Sequence, residues 1–75
     1  MKRNPAAERL AGEITEARIA LLDTVRTDPK RWWVAYQLKD QARNGWSAST
    51  MNMALTRLID TGVLELQGDR IRLQL

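Results

Sequence analysis

The stretch whose reading decides the fold runs from Asn44 to Leu75: NGWSASTMNMALTRLIDTGVLELQGDRIRLQL. Met51, Ala54, Leu55, Leu58 and Ile59 recur at helical spacing, which predicts a helix over 48–61 with one apolar face. Ser47 stands at the N-cap position, where its hydroxyl accepts from the backbone N–H of Ser49 or Thr50. Gly62 stops the helix at C′, where a left-handed backbone is needed. The opposite face is polar, with Ser49, Asn52, Thr56 and Arg57, but Met53 sits near its centre. Beyond the helix, VLELQ and RIRLQL flank Gly68-Asp69, a two-residue loop that fits a type I′ or II′ hairpin turn. Pairing across that loop sets Leu66 beside Ile71 and Leu64 beside Leu73 on one face. It sets Glu65 beside Arg72 and Gln67 beside Arg70 on the other. A slip of one residue would reverse the faces, so the register is well specified. A lone hairpin is unstable in water, so its apolar face is expected to lie on the helices.

Upstream of this stretch, Asn4-Pro5 opens a helix over 5–26: Asn caps, and Pro is tolerated at the first helical position. Glu8 in its first turn suits the helix dipole. Ala7, Leu10, Ala11, Ile14, Ala17, Leu21, Leu22 and Val25 form one broad apolar stripe. Arg18 falls inside that arc and Ile19 outside it, a hint that more than one surface contacts the helix. The next element, after TDPKRWW, admits two versions. In one, Asp28 caps and Pro29 opens a helix whose outer side carries Trp32, Tyr36, Lys39 and Arg43. In the other, Trp32-Trp33-Val34 is extended, the two Trp side chains point to opposite sides, and a helix covers 34–43. Bulky aromatics suit a strand better than a helix start, which favours the second version. In both, Val34, Ala35, Leu38 and Ala42 form the buried stripe, and Asn44-Gly45 ends the helix; Trp32 and Tyr36 are expected to be satellite core rather than binding aromatics.

The bulk numbers narrow the function. With 75 residues the chain is expected to be one domain, 1–75. A domain of this size buries only about 60% of its unfolded surface, so a second subunit would stabilise it. Cys and His are both absent, which removes thiolate chemistry, the commonest general base and the commonest metal ligand. No Gly-rich phosphate loop or metal-ligand spacing stands out. The expectation is therefore no enzyme, no cofactor and no metal. No run approaches the ~18 apolar residues of a membrane span, and MKRNPAAERL lacks the apolar core of a signal peptide. A soluble, cytoplasmic protein without a membrane partner is expected. The net charge of +3 is carried entirely by residues 26–75, where eight Lys and Arg face five Asp and Glu. A surplus placed there favours a phosphate backbone. A solvated surface with a small excess would give the same count.

Helix, short extended segment, helix, turn, helix and hairpin is the order of a winged helix-turn-helix. SASTMNMALTRLIDTGVLEL resembles the recognition-helix segment of small winged-helix transcription regulators of bacteria and phages. A Ser/Thr cluster opens the helix, Met51, Leu55 and Leu58 supply the apolar repeat, and Gly62 precedes an apolar strand. The likeness covers Ile19 to Leu75 in layout and Ser47 to Leu66 in residue detail. It implies an α+β, mostly helical fold with an extended first helix and a two-stranded wing over 63–75. It also implies a third helix in the major groove of duplex DNA and a wing on the backbone. The base-reading positions it implies are Ser49, Thr50, Asn52, Met53, Thr56 and Arg57. Asn52 suits adenine, Arg57 guanine or a phosphate, and Met53 and the Thr methyls suit thymine. Ser47 and Ser49 are phosphate candidates at the helix N-terminus, with Ser47 first of all a cap. Lys30, Arg31, Lys39 and Arg43 around the second helix, and Arg70 and Arg72 on the wing, would meet the backbone.

So small a module offers a small interface, and a homodimer through helix one is expected, on half-sites about one helical turn apart. Two other readings stay open. One is a winged helix that has lost DNA binding and docks on a protein as an inhibitor or assembly factor; Met53 on the outer face, exposure of Trp32 and Tyr36, and the single Arg of the third helix favour it. The other is a replication or partition factor, which also binds DNA.

Overall fold

A computed structural model describes residues 5–74; residues 1–4 and 75, and with them the expected Asn4 cap, lie outside the described residues. Helix α1 spans Pro5–Arg26, starting where Pro is tolerated because its missing N–H would have no partner in the first turn. Strand β1 is Trp33–Val34 and helix α2 is Ala35–Ala42. Helix α3 is Ala48–Asp60, strand β2 Leu64–Gln67 and strand β3 Arg70–Leu73. The fold is α+β and mostly helical: three helices and one antiparallel sheet, in the order expected from the residue patterns.

Of the two versions of the WWV segment, the extended one holds. Trp33 pairs with Ile71 and Val34 with Arg70, so the sheet has three strands in the order β1-β3-β2 rather than the expected two. Trp33 is buried, while Trp32 lies on the other side, under the Arg72 guanidinium at 4.2 Å. The hairpin register is the expected one: Leu64 with Leu73, Glu65 with Arg72, Leu66 with Ile71, Gln67 with Arg70. Gly68 has φ 61 and Asp69 does not have a positive φ, the pattern of a II′ turn rather than I′.

The ends of the helices follow their capping residues. The Ser47 hydroxyl accepts from the Thr50 N–H at 3.1 Å and caps α3. At the other end, Val63 N–H donates to Leu58 O and Gly62 N–H to Ile59 O, with Gly62 at φ 80. That is the Schellman arrangement, and it turns the chain directly into β2. Asn44 and Gly45, at φ 42 and 83, make the left-handed turn between α2 and α3.

The core is built from Ile14, Ala17, Leu21 and Val25 of α1, Leu38 and Ala42 of α2, and Met51, Ala54, Leu55 and Leu58 of α3. Trp33, Leu64 and Ile71 of the sheet close it. Fully buried Ala17 and Ala54 keep the surfaces of α1 and α3 thin, so the two helices pack along one another.

The expected burial fails in three places. Ala7, Leu10 and Ala11 are exposed although they continue the apolar stripe. At about 1.5 Å per residue the 22-residue α1 is much longer than the 13-residue α3, and its first turns run past the core. Leu66 is 47% exposed on the edge strand β2, although its partner Ile71 on the central strand β3 is fully buried. Tyr36, expected in the core, is 67% exposed at the start of α2.

Candidate nucleic-acid interface

The outer face of α3 is uncovered. Ser49, Asn52, Met53, Thr56 and Arg57 are all exposed, because they lie opposite the buried row of Met51, Ala54, Leu55 and Leu58. At 3.6 residues per turn, Asn52 and Arg57 stand about 140° apart around the helix axis. They therefore mark the two flanks of this face, with Ser49, Met53 and Thr56 between them.

On the Asn52 flank lies α2. Lys39 Nζ donates to Asn52 Oδ1 at 2.7 Å. Lysine has no acceptor, so the contact must use the amide oxygen, which fixes the orientation of the Asn52 amide. The amide NH₂ and the second lone pair of Oδ1 stay available to a ligand. The shallow cleft beside this contact is lined by Tyr36, Lys39, Asp40, Arg43, Ala48, Met51 and Asn52. Two cations and one carboxylate leave it net positive. Arg43 also donates from Nε to the Trp46 carbonyl at 2.6 Å, so its guanidinium is anchored at the α2–α3 turn.

On the Arg57 flank lies α1. An open groove of about 490 Å³ runs between Ala7, Leu10, Ala11 and Ile14 of α1 and Asn52, Met53, Thr56 and Arg57 of α3. Leu10 and Met53 are 38% and 44% exposed, so Met53 does not stand alone but belongs to an apolar strip shared by two helices. The groove continues into a smaller cleft of about 100 Å³ lined by Ala11, Ile14, Thr15, Arg18 and Arg57. Arg18, the misfit of the apolar stripe, is there because it faces this second surface.

The remaining candidates are placed less favourably. Thr50 is 2% exposed and its Oγ1 accepts from the Ser47 hydroxyl at 3.0 Å, so it belongs to the cap and not to the outer face. The resemblance implied a base-reading role for Thr50, and its burial at the cap argues against one. Ser47 itself is exposed, but its side chain is committed to that cap. Arg72 bonds Glu65 at 3.0 Å and lies on the Trp32 ring, which occupies its guanidinium within the sheet face. Arg31 lies over the Trp33 ring at 3.9 Å and seals the core edge. Arg70 is exposed at the tip of the β2–β3 hairpin beside Asp69, at 3.5 Å, which offsets its charge. Lys30 is exposed in the α1–β1 turn, away from α3 in sequence and on a separate element.

The structure thus brings together Ser49, Asn52, Met53, Thr56, Arg57 and, across the α2 flank, Lys39 and Arg43. It adds Tyr36, whose exposure the residue patterns had counted toward a protein-docking surface, and Arg18, which they did not nominate. No group of His, Cys, Asp or Glu able to hold a metal occurs among the described residues, and none of the described helices is long and apolar enough to cross a membrane. Comparison with family models, with curated proteins and with solved structures finds no match to this chain.

Proposed function

We propose that the protein is a winged helix-turn-helix that binds duplex DNA in a sequence-dependent way and acts as a transcriptional regulator. One observation carries the reading. The outer face of α3 is open along its length and is rimmed by cations on both flanks, Lys39 and Arg43 on one side and Arg57 on the other. A helix about 10–12 Å across fills a major groove about 12 Å wide, so groups on its flanks meet the two phosphate walls. Asn52, oriented by Lys39, is the residue for an adenine edge; Ser49, Thr56 and Met53 are placed for neighbouring bases. The topology supports the same reading, with β1 closing the sheet and the β2–β3 hairpin standing beside α3 as a short wing.

The test is a mobility shift against random duplex fragments across a salt series. Asn52→Ala is expected to flatten sequence preference, and Arg43→Ala to weaken every sequence alike. Absence of binding at low salt, or binding blind to sequence, would sink the reading.

The same proposal includes a homodimer. The first turns of α1 expose Ala7, Leu10 and Ala11 on the stripe that elsewhere forms the core, and a second copy is the simplest cover for them. The exposed Leu10–Met53 strip also favours a second reading, a winged helix that docks on another protein through the α1–α3 groove. Leu10→Asp separates the two. It would abolish partner docking while leaving DNA binding by the monomer measurable.

A further inference from the structure

We infer that Arg18 of α1 and Arg57 of α3 form a two-arginine clamp for a backbone phosphate of duplex DNA. The inference rests on the DNA-binding reading and adds to it a residue from outside the helix-turn-helix.

Both arginines line one cleft of about 100 Å³. The other lining groups are Ala11, Ile14 and Thr15, and the Thr15 hydroxyl already donates to the Ala11 carbonyl at 3.0 Å. No carboxylate lines the cleft, and among the described residues neither arginine has a salt-bridge partner. Two like charges on adjoining helices repel unless an anion lies between them. The Arg18 Nε is in addition buried without a hydrogen-bond partner. The same holds for Arg72 Nε and Trp33 Nε1, so this atom counts for the clamp only together with the uncompensated charge of the cleft. Guanidinium groups suit phosphate oxygens because their planar forks donate two parallel bonds.

The place of the cleft selects the ligand. Arg57 marks the flank of α3 opposite Asn52, and Arg18 stands beside it on α1. With α3 in a major groove, that flank faces one phosphate strand, while Lys39 and Arg43 face the other. The clamp thereby balances a grip that would otherwise be one-sided. It also accounts for a charged residue inside the apolar stripe of α1.

The experiment uses the full chain, with Arg18→Gln, Arg57→Gln, the double variant, Arg18→Lys, and Arg26→Gln as an exposed control on the same helix. Circular dichroism and thermal melts establish that each is folded. Affinity for a duplex that the wild type binds is measured between about 50 and 200 mM salt. The double variant is expected to lower the slope of log K against log salt by about 0.9, the loss of one phosphate contact, and each single Gln variant to lower it by part of that. Arg18→Lys and Arg26→Gln are expected to keep the wild-type slope, and the loss should be equal for all sequences. The Arg18 Nε–H resonance should also shift on addition of the duplex.

A wild type that binds DNA with a slope untouched by Arg18→Gln would overturn the clamp and leave the DNA reading standing. A wild type that binds no DNA would overturn both. If sedimentation shows that Arg18→Gln splits a dimer, the pair holds a carboxylate of a second copy and the clamp is wrong. A resonance that responds to inorganic phosphate but not to the duplex would equally assign the cleft to a free anion.

Discussion

Ser47 is the residue at which a structural role and a binding role can be pulled apart. Its hydroxyl makes two contacts: it accepts from the Thr50 N–H at 3.1 Å and donates to the Thr50 Oγ1 at 3.0 Å. Ser47→Ala removes both. Losing a serine cap costs about 0.5–2 kcal/mol. The Thr50 hydroxyl is 2% exposed, so it also loses its donor in a place water does not replace, at about 1–3 kcal/mol for a fully unsatisfied group. The two losses overlap, and about 2 kcal/mol is the expected sum. A domain of 75 residues has about 4–11 kcal/mol in all, so the protein should still fold. Its Tm should fall by roughly 8–16 °C, at about 4–8 °C per kcal/mol.

The assay is denaturant unfolding followed by Trp fluorescence for Ser47→Ala, Thr50→Val and the double variant. The cycle should return a coupling of about 1 kcal/mol between the two side chains. Ser47→Asp keeps an acceptor for the Thr50 N–H and should retain most of the stability while adding a charge that repels phosphate. DNA affinity should therefore be unchanged in Ser47→Ala, measured well below its Tm, and reduced in Ser47→Asp. A loss below about 0.5 kcal/mol in Ser47→Ala, with no coupling to Thr50, would refute the capping argument. A loss of DNA affinity in the stable fraction of Ser47→Ala would return this serine to the binding surface.

Other outcomes follow from the same contacts. Gly62→Ala should cost about 1–2 kcal/mol by denaturant titration, because φ 80 at the Schellman turn is hostile to a Cβ even though open space surrounds it. Trp33→Ala, at a position 2% exposed, should cost about 3–5 kcal/mol by denaturant titration, a large share of the total stability. Lys39→Met should free the Asn52 amide and reduce discrimination at one base position more than it reduces overall affinity, read from competition among single-base variants of the site. Arg72→Ala should change stability by less than about 1.5 kcal/mol and leave DNA affinity in place, since its guanidinium serves Glu65 and Trp32. Leu10→Asp should shift the mass in sedimentation from the proposed dimer to monomer, and lower Tm only to that of the monomer, because Leu10 lies outside the core.

What the residue patterns determined is local. The bounds of α3, its serine cap, its glycine stop and the register of the hairpin were all legible, because each rests on backbone chemistry within a few residues or on a period of 2 or 3.6. The identity of the outer face of α3 was legible for the same reason. Periodicity says which residues share a face; it does not say how far the neighbouring element extends. Only the tertiary structure decided that α1 outruns its partners and leaves Leu10 exposed, that Trp33 and Val34 add a third strand, and that Thr50 is closed in at the cap. It alone brought Lys39 onto Asn52, thirteen residues away, and Arg18 into one cleft with Arg57. Those pairings depend on where three helices cross, and the crossing is set by the packing of the whole core around small residues such as Ala17 and Ala54. That is why the charge that an isolated reading of α3 found missing lies on its neighbours.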